Sequence, residues 1–137
     1  MPLVKSDRDG YVRTITLNRP DKKNAVNAEM YARLNALLEE SSEDENIRVV
    51  VLQGAGNNFT SGNDLSEFDG VSEEEDGPIA AYQFLKTVAF FDKPLVTKVD
   101  GYAVGLGATV LLHADLVVAS DGATIKFPFL DLGVVPE

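Results

Sequence analysis

The sequence predicts an α/β domain with crossover connections, and three observations predict it. Short β-rich runs alternate with segments whose apolar residues recur at helical spacing. One run, "IRVVVLQG", is nearly continuous in apolar residues, as in a strand buried on both faces. The opening stretch, "PLVKSDRDGYVRTITLNRP", has a hairpin signature, so some pairing is antiparallel. With 137 residues, 45% of them apolar and 25% charged, the chain has an ordinary globular balance.

In the hairpin, Asp9-Gly10 is the expected tight turn, and Pro20 stops the second strand. Asn27 is the expected N-cap of the helix "NAEMYARLNALLEESSED", in which Met30, Leu34, Leu37 and Leu38 share one face. The strand "IRVVVLQG" starts at Ile47. A polar, glycine-containing stretch follows, and its acidic run Glu73-Glu74-Glu75-Asp76 reads as solvated and disordered. A second helix is expected from Pro78, with Ile79, Tyr82, Leu85 and Val88 on one face. "KPLVTKV" is a strand, "DGYAVGLGATVLLHA" a loop entering a short helix, and "DLVVAS" and "TIKF" two more strands. No compositional linker and no strict repeat divides the chain, so residues 1–137 form one unit. Phe59, Phe84, Phe90, Phe91, Phe127 and Phe129 are expected in the core, with Phe127 or Phe129 at a ligand pocket.

Composition excludes several function classes. The formal net charge of −10 argues against a nucleic-acid partner, although backbone N–H groups can still hold a small anion. Cysteine is absent and His113 is the one histidine, which removes disulfides, thiol nucleophiles and multi-histidine metal sites. The N-terminus has no signal-peptide core, and no apolar run reaches membrane-span length. The chain therefore reads as intracellular, with no membrane partner. His113 reads as a helix-end residue, Asp64 as a turn or cap residue, and Asp115 as a strand-start anchor. Ser61 has neither a "GxSxG" elbow nor a suitably placed base, so it is not read as a nucleophile.

Two glycine turns remain. In "FTSGNDL", Phe59 to Leu65, Gly62 permits a turn that can point the Asn63 amide into a cleft; a plain Ser-Gly-Asn-Asp loop is the alternative. In "GYAVGLGATVLL", Gly101 to Leu112, Gly105 and Gly107 open an apolar helix whose free N–H groups and dipole can stabilise an oxyanion. Close helix packing would need the same small residues. A dinucleotide loop fits poorly, because "GLGATV" lacks the third glycine. Each turn follows a strand, and two such donors facing one cleft would make an oxyanion hole for a thioester carbonyl.

"FTSGNDL", "KPLVTKVDGYAVGLGATVLL", "DLVVASDGATIKFPF" and "LGVVPE", in this order, resemble the enoyl-CoA hydratase/isomerase (crotonase) superfamily. "RPDKKNAVN" resembles its CoA-binding segment, and "SGNDL" and "LGVVPE" are most like the Δ3,Δ2-enoyl-CoA isomerase branch. The resemblance implies a right-handed spiral of ββα turns. It implies an oxyanion hole from the Asn63 and Leu106 amides, and ligand contacts along Lys23, Asn24, Ala25 and Val26 and along Ser61, Gly62, Asp64, Leu65 and Gly105. The superfamily's hydratases carry two glutamates where this chain has Thr109 and Phe129. The isomerase branch has one glutamate, at the position of Glu137, as the acid/base. The implied partner is an acyl-CoA thioester, with no metal or redox cofactor. The resemblance also implies that C-terminal helices absent from this chain build a homotrimer or dimer of trimers, and that the chain as it stands is inactive. The compartment would be cytoplasmic in a bacterium, peroxisomal or mitochondrial in a eukaryote. Other crotonase chemistry (hydration or thioester hydrolysis) and an inactive acyl-CoA-binding or assembly module stay open as alternatives.

Overall fold

The computed structural model describes residues 1–67 and 77–136. The acidic run Glu73 to Asp76 and Glu137 lie outside them.

The hairpin forms from β1 (Val4–Asp9) and β2 (Val12–Leu17), with Asp9 opposite Val12. Its two-residue loop is therefore Gly10-Tyr11, one place later than expected. Gly10 takes the positive φ at the first loop position, and Asp9 stays paired in the ladder. Pro20 opens a 3₁₀ turn, Pro20–Lys22, three residues after β2 has ended. Helix α1 (Ala28–Glu43) starts where expected: the Asn27 side chain accepts the Met30 N–H at 3.0 Å. It buries Met30, Tyr31, Leu34, Leu37 and Leu38.

Strand β3 (Val49–Gly54) lies between β2 and β4 (Leu95–Val99), parallel to both. Strand β6 (Leu116–Ala119) extends the sheet beyond β4, giving the order β1-β2-β3-β4-β6. Val50 and Leu52 are fully buried, whereas Val49, Val51 and Gln53 are half-buried. One face of β3 is thus fully covered, not two. Val50, Leu52, Leu95 and Val99 share a core with α1 and with α2 (Gly77–Ala89). The two helices meet through Tyr31 and Phe84, whose ring centroids are 5.6 Å apart. Helix α2 buries Ala81, Phe84, Leu85 and Val88. Tyr82, expected on that face, is exposed, because the i, i+3, i+4, i+7 stripe starts at Ala81.

The stretch "GYAV", expected as loop, contains strand β5 (Tyr102–Val104), which pairs in parallel with β7 (Thr124–Lys126). Isolated parallel bridges join Val26 to Asn63 and Thr60 to Ala103. Each chain turn thus adds a long strand to the main sheet and a short extended stretch to a second layer. After β5 comes α3 (Leu106–Thr109), continued by a 3₁₀ turn at Val110–His113; after β7 comes α4 (Phe129–Leu132). The result is the α/β spiral of strand–strand–helix turns that the resemblance implied. Asp115 anchors the start of β6: its carboxylate accepts the Leu95 N–H at 2.8 Å, and its own N–H donates to the Leu95 carbonyl at 2.9 Å. Phe59, Phe84 and Phe129 are buried and Phe91 is half-buried, but Phe90 and Phe127 are exposed, against expectation. They lie at the end of α2 and just after β7, where no described element packs over them. Leu116, Val118 and Leu130 are exposed as well. No helix among the described residues is long and apolar enough to cross a membrane.

Thr97 on β4 is fully buried, and its hydroxyl has no hydrogen-bond partner among the described residues. An unpaired buried hydroxyl costs about 1–3 kcal/mol, and valine has the same shape. Thr97→Val is expected to raise stability by roughly 1 kcal/mol. Urea midpoints check this, and an unchanged or lowered midpoint would contradict it.

Candidate active site

The second layer brings three loops together. Asn24 adopts a left-handed backbone with φ of 56°, and its side chain is fully buried. Its carboxamide oxygen accepts the Arg19 N–H at 2.8 Å, and its nitrogen donates to the carbonyls of Ala55 at 2.9 Å and Asn58 at 2.8 Å. Such a residue folds the 19–26 loop onto the end of β3, so its side chain serves the scaffold. Ala25 and Val26 are buried too, and of the four positions from Lys23 to Val26 only Lys23 exposes its side chain. Its ammonium lies 5.2 Å from the Tyr102 ring centroid.

Thr60 joins all three loops. Its hydroxyl donates to the Asn24 carbonyl at 2.6 Å and accepts the Gly62 N–H at 3.0 Å. Its backbone N–H donates to the Tyr102 carbonyl, and its carbonyl accepts the Val104 N–H, both at 3.0 Å. Next to it, Ser61 is tied to the Lys23 carbonyl through its own N–H at 3.0 Å.

Gly62 has φ of 96°, and a Cβ there would sit 2.7 Å from the Val104 carbonyl oxygen and 3.6 Å from the Leu106 nitrogen. The turn before Asn63 therefore abuts the turn before Leu106 backbone to backbone, a contact that only glycine allows. Val26 donates to the Gly62 carbonyl at 2.8 Å and accepts the Asp64 N–H at 2.9 Å. Both flanking residues thus bond Val26, so the Asn63 N–H lies on the side of the strand away from Val26. Leu106 is the first residue of α3, and its N–H has no acceptor among the described residues. Gly105 makes that turn with φ of 60° and ψ of −119°, and the space beside it is open. Close packing operates as well, at Gly107, where a Cβ would lie 2.7 Å from the Thr60 methyl. With only four residues in α3, the donor is the first amide itself rather than a long helix dipole.

Asp64 caps the short turn Leu65–Glu67, accepting the Ser66 N–H at 3.0 Å and its hydroxyl at 2.6 Å. It also pairs with Arg19 at 2.5 Å, and Arg19 in turn donates to the Ala25 carbonyl at 3.3 Å. The Ser66 hydroxyl, then the Arg19 hydrogen bond, hold the Asp64 carboxyl below its ordinary range, and burial opposes them. Leu65 is exposed beside this turn. Thr109, expected from the resemblance at the first hydratase-acid position, is buried and donates its hydroxyl to the Leu106 carbonyl at 3.1 Å; Phe129, expected at the second, is also buried. His113 is exposed at the end of its 3₁₀ turn. No group of three His, Cys, Asp or Glu among the described residues could hold a metal. Thr60, Arg19 and Tyr31, whose hydroxyl donates to the Asn63 side-chain oxygen, were not singled out from the sequence. Tyr31 was legible in principle, since it lies at helical spacing from Leu34 and Leu38.

Successive strand–strand–helix turns, with two glycine turns abutting through their backbones, define a crotonase-like domain. The chain belongs to the enoyl-CoA hydratase/isomerase family, whose model matches residues 7–137. Enoyl-CoA delta isomerase 2 of Rattus norvegicus is 42% identical over 134 residues, covering 94% of this chain and 34% of that protein. The 1,2-epoxyphenylacetyl-CoA isomerase of Escherichia coli is 34% identical over 143 residues, covering 100% of this chain and 55% of that protein. The crystal structure of an enoyl-CoA hydratase/isomerase from Pseudoalteromonas atlantica matches with a TM-score of 0.91 and 41% identity, over 99% of this chain and 54% of that one. The chain spans between 34% and 55% of the length of these relatives.

Because the fold favours the ionised form of Asp64, this group stabilises the protein above its unfolded pKa of about 3.8. That stability is lost as pH falls through the lower folded value. Asp64→Asn is expected to cost about 1–3 kcal/mol at pH 7, and the gap from wild type should narrow below about pH 4. Urea midpoints across pH read this out; a gap that stays constant down to about pH 3 would contradict it.

Proposed function

We propose that the protein shifts the double bond of a 3-enoyl-CoA ester to the 2-position. The observation that supports this reading is the backbone contact between the Gly62 turn and the Leu106 turn, beside which the Leu106 N–H has no acceptor among the described residues. A thioester carbonyl lying there would accept from Asn63 N–H and Leu106 N–H. These bonds strengthen as the oxygen gains charge, so they stabilise the enolate more than the substrate. Glu137, outside the described residues, is the proposed acid/base. Its carboxylate takes the proton from C2, the electron pair delocalises onto the carbonyl oxygen, and the proton returns at C4 as the double bond settles between C2 and C3. One carboxylate serves both steps.

Isomerisation is favoured over hydration by what fills the other two positions. Thr109 is buried with its hydroxyl committed to the Leu106 carbonyl, and Phe129 is a buried hydrocarbon. Neither can orient and split water. Exposed Lys23 suits the anionic end of a CoA, which would run on from it along Ser61 to Leu65, while Asn24, Ala25 and Val26 are buried behind it. The exposed apolar residues Leu116, Phe127 and Leu130 fit a protein that assembles through its β6–β7–α4 turn.

The protein given a 3-enoyl-CoA is expected to yield 2-enoyl-CoA with little 3-hydroxyacyl-CoA. Glu137→Gln should lower turnover by at least about a hundredfold and leave acyl-CoA binding nearly intact. Chromatography of the products and calorimetric binding check both. Rapid accumulation of the hydroxy product, or full turnover by the Gln variant, would overturn the assignment.

A further inference from the structure

Residues 63 and 64 are gripped from two sides by groups that do not face the cleft as donors. From α1, the Tyr31 hydroxyl donates to the side-chain oxygen of Asn63. Tyr31 cannot drift, because its ring is buried against Phe84 and its helix is capped four residues earlier by Asn27. From the end of the first turn, Arg19 pairs with Asp64 and also holds the Ala25 carbonyl. These two contacts flank the Val26–Asn63 bridge on both strands. Both charged side chains are mostly buried, at 19% and 12% exposure, so the pair is shielded from solvent screening.

We propose that Tyr31 and Arg19 are positioning residues that together fix the direction of the Asn63 N–H toward the thioester carbonyl. This rests on the oxyanion-hole reading above. The clamp adds to a turn that is already tied at its carbonyl. Gly62 at φ of 96° gives the turn its shape, and its carbonyl accepts the Val26 N–H at 2.8 Å. The Thr60 hydroxyl fixes the N–H on the near side of that glycine. Tyr31 and Arg19 fix the far side, through Asn63 and Asp64. A donor that swings by a fraction of an ångström loses most where charge develops, so the clamp acts on the transition state more than on ground-state affinity.

The test uses Tyr31→Phe, which keeps the ring on Phe84, and Arg19→Gln, which keeps a donor for Ala25 but removes the charge. The readout is the infrared stretching band of an isotope-labelled acyl-CoA carbonyl at saturation, together with kcat, KM and the melting temperature. Wild type should lower the band frequency relative to free thioester. Each variant should move it back toward the free value and lower kcat about tenfold, with KM within about twofold. A double variant no worse than either single one would support a shared clamp. If wild type shifts the band and both variants retain the full shift, the positioning role is overturned. If kcat and KM worsen together with an unchanged band, the two residues are merely structural and the proposal also fails. If wild type itself binds acyl-CoA without shifting the band, the oxyanion-hole reading falls first, a result distinct from failure of the clamp alone.

Discussion

The hydroxyl of Thr60 is the junction on which the cleft depends. It accepts from Gly62 and donates to Asn24 while the same residue's backbone pairs with β5. Three successive turns of the spiral are joined by one buried residue. In a site shielded from water, each of those bonds is stronger than on the surface, and each is costly to leave unmade. Valine in its place would fill the volume but strand a carbonyl and an N–H. Asn24 repeats the arrangement one step further out, spending its whole carboxamide on backbone groups of two loops. The two residues turn irregular connections, which would otherwise be mobile, into a rigid second layer.

That rigidity matters because the proposed donors are main-chain amides. A side-chain donor brings rotamers that must be frozen at each turnover. A backbone N–H is fixed by the fold and needs no reorganisation as charge appears. The requirement moves instead to the φ angles of the glycines before each donor. At Gly62 the close approach of the Val104 carbonyl excludes any Cβ, and at Gly105 the positive φ does the same work without crowding. In the proposed reading, the open space beside Gly105 leaves room for a ligand to pass Leu106.

How much of this could be read in the sequence follows from the range of each interaction. The Asn27 cap, the α1 stripe and the main strands were legible because their signals are local: a capping side chain, a helical period, an apolar run. The anchoring role of Asp115 was legible from its place at the head of a strand. Strand β5 was missed because three residues, one of them exposed, carry no alternation long enough to read, and it exists through pairing with β7 some twenty residues later. Tyr82 was put on the wrong face of α2 because the spacing Ile79–Tyr82–Leu85 fits a helix as well as Ala81–Phe84–Val88 does. Only the position of the sheet chooses between them. The two glycine turns were visible as candidates, yet nothing local said they would touch. Their contact, the Thr60 junction and the Arg19–Asp64 pair span 45 residues or fewer along the chain, but all depend on how the spiral stacks.

Thr109 shows how one substitution can shift the balance of a site. In this reading it stands where a hydratase would keep an acid. A carboxylate there would be as buried as the threonine is, would need its own partners, and would have its pKa raised by the loss of water. The threonine hydroxyl instead bonds back to the Leu106 carbonyl three residues earlier, closing the short turn of α3. That carbonyl belongs to the residue whose N–H is proposed to face the thioester. Removing the water-activating acid thus also stiffens the peptide beside the donor. An isomerase gains from both effects: water loses a carboxylate that would orient and split it, and the enolate oxygen meets a donor that is held in place.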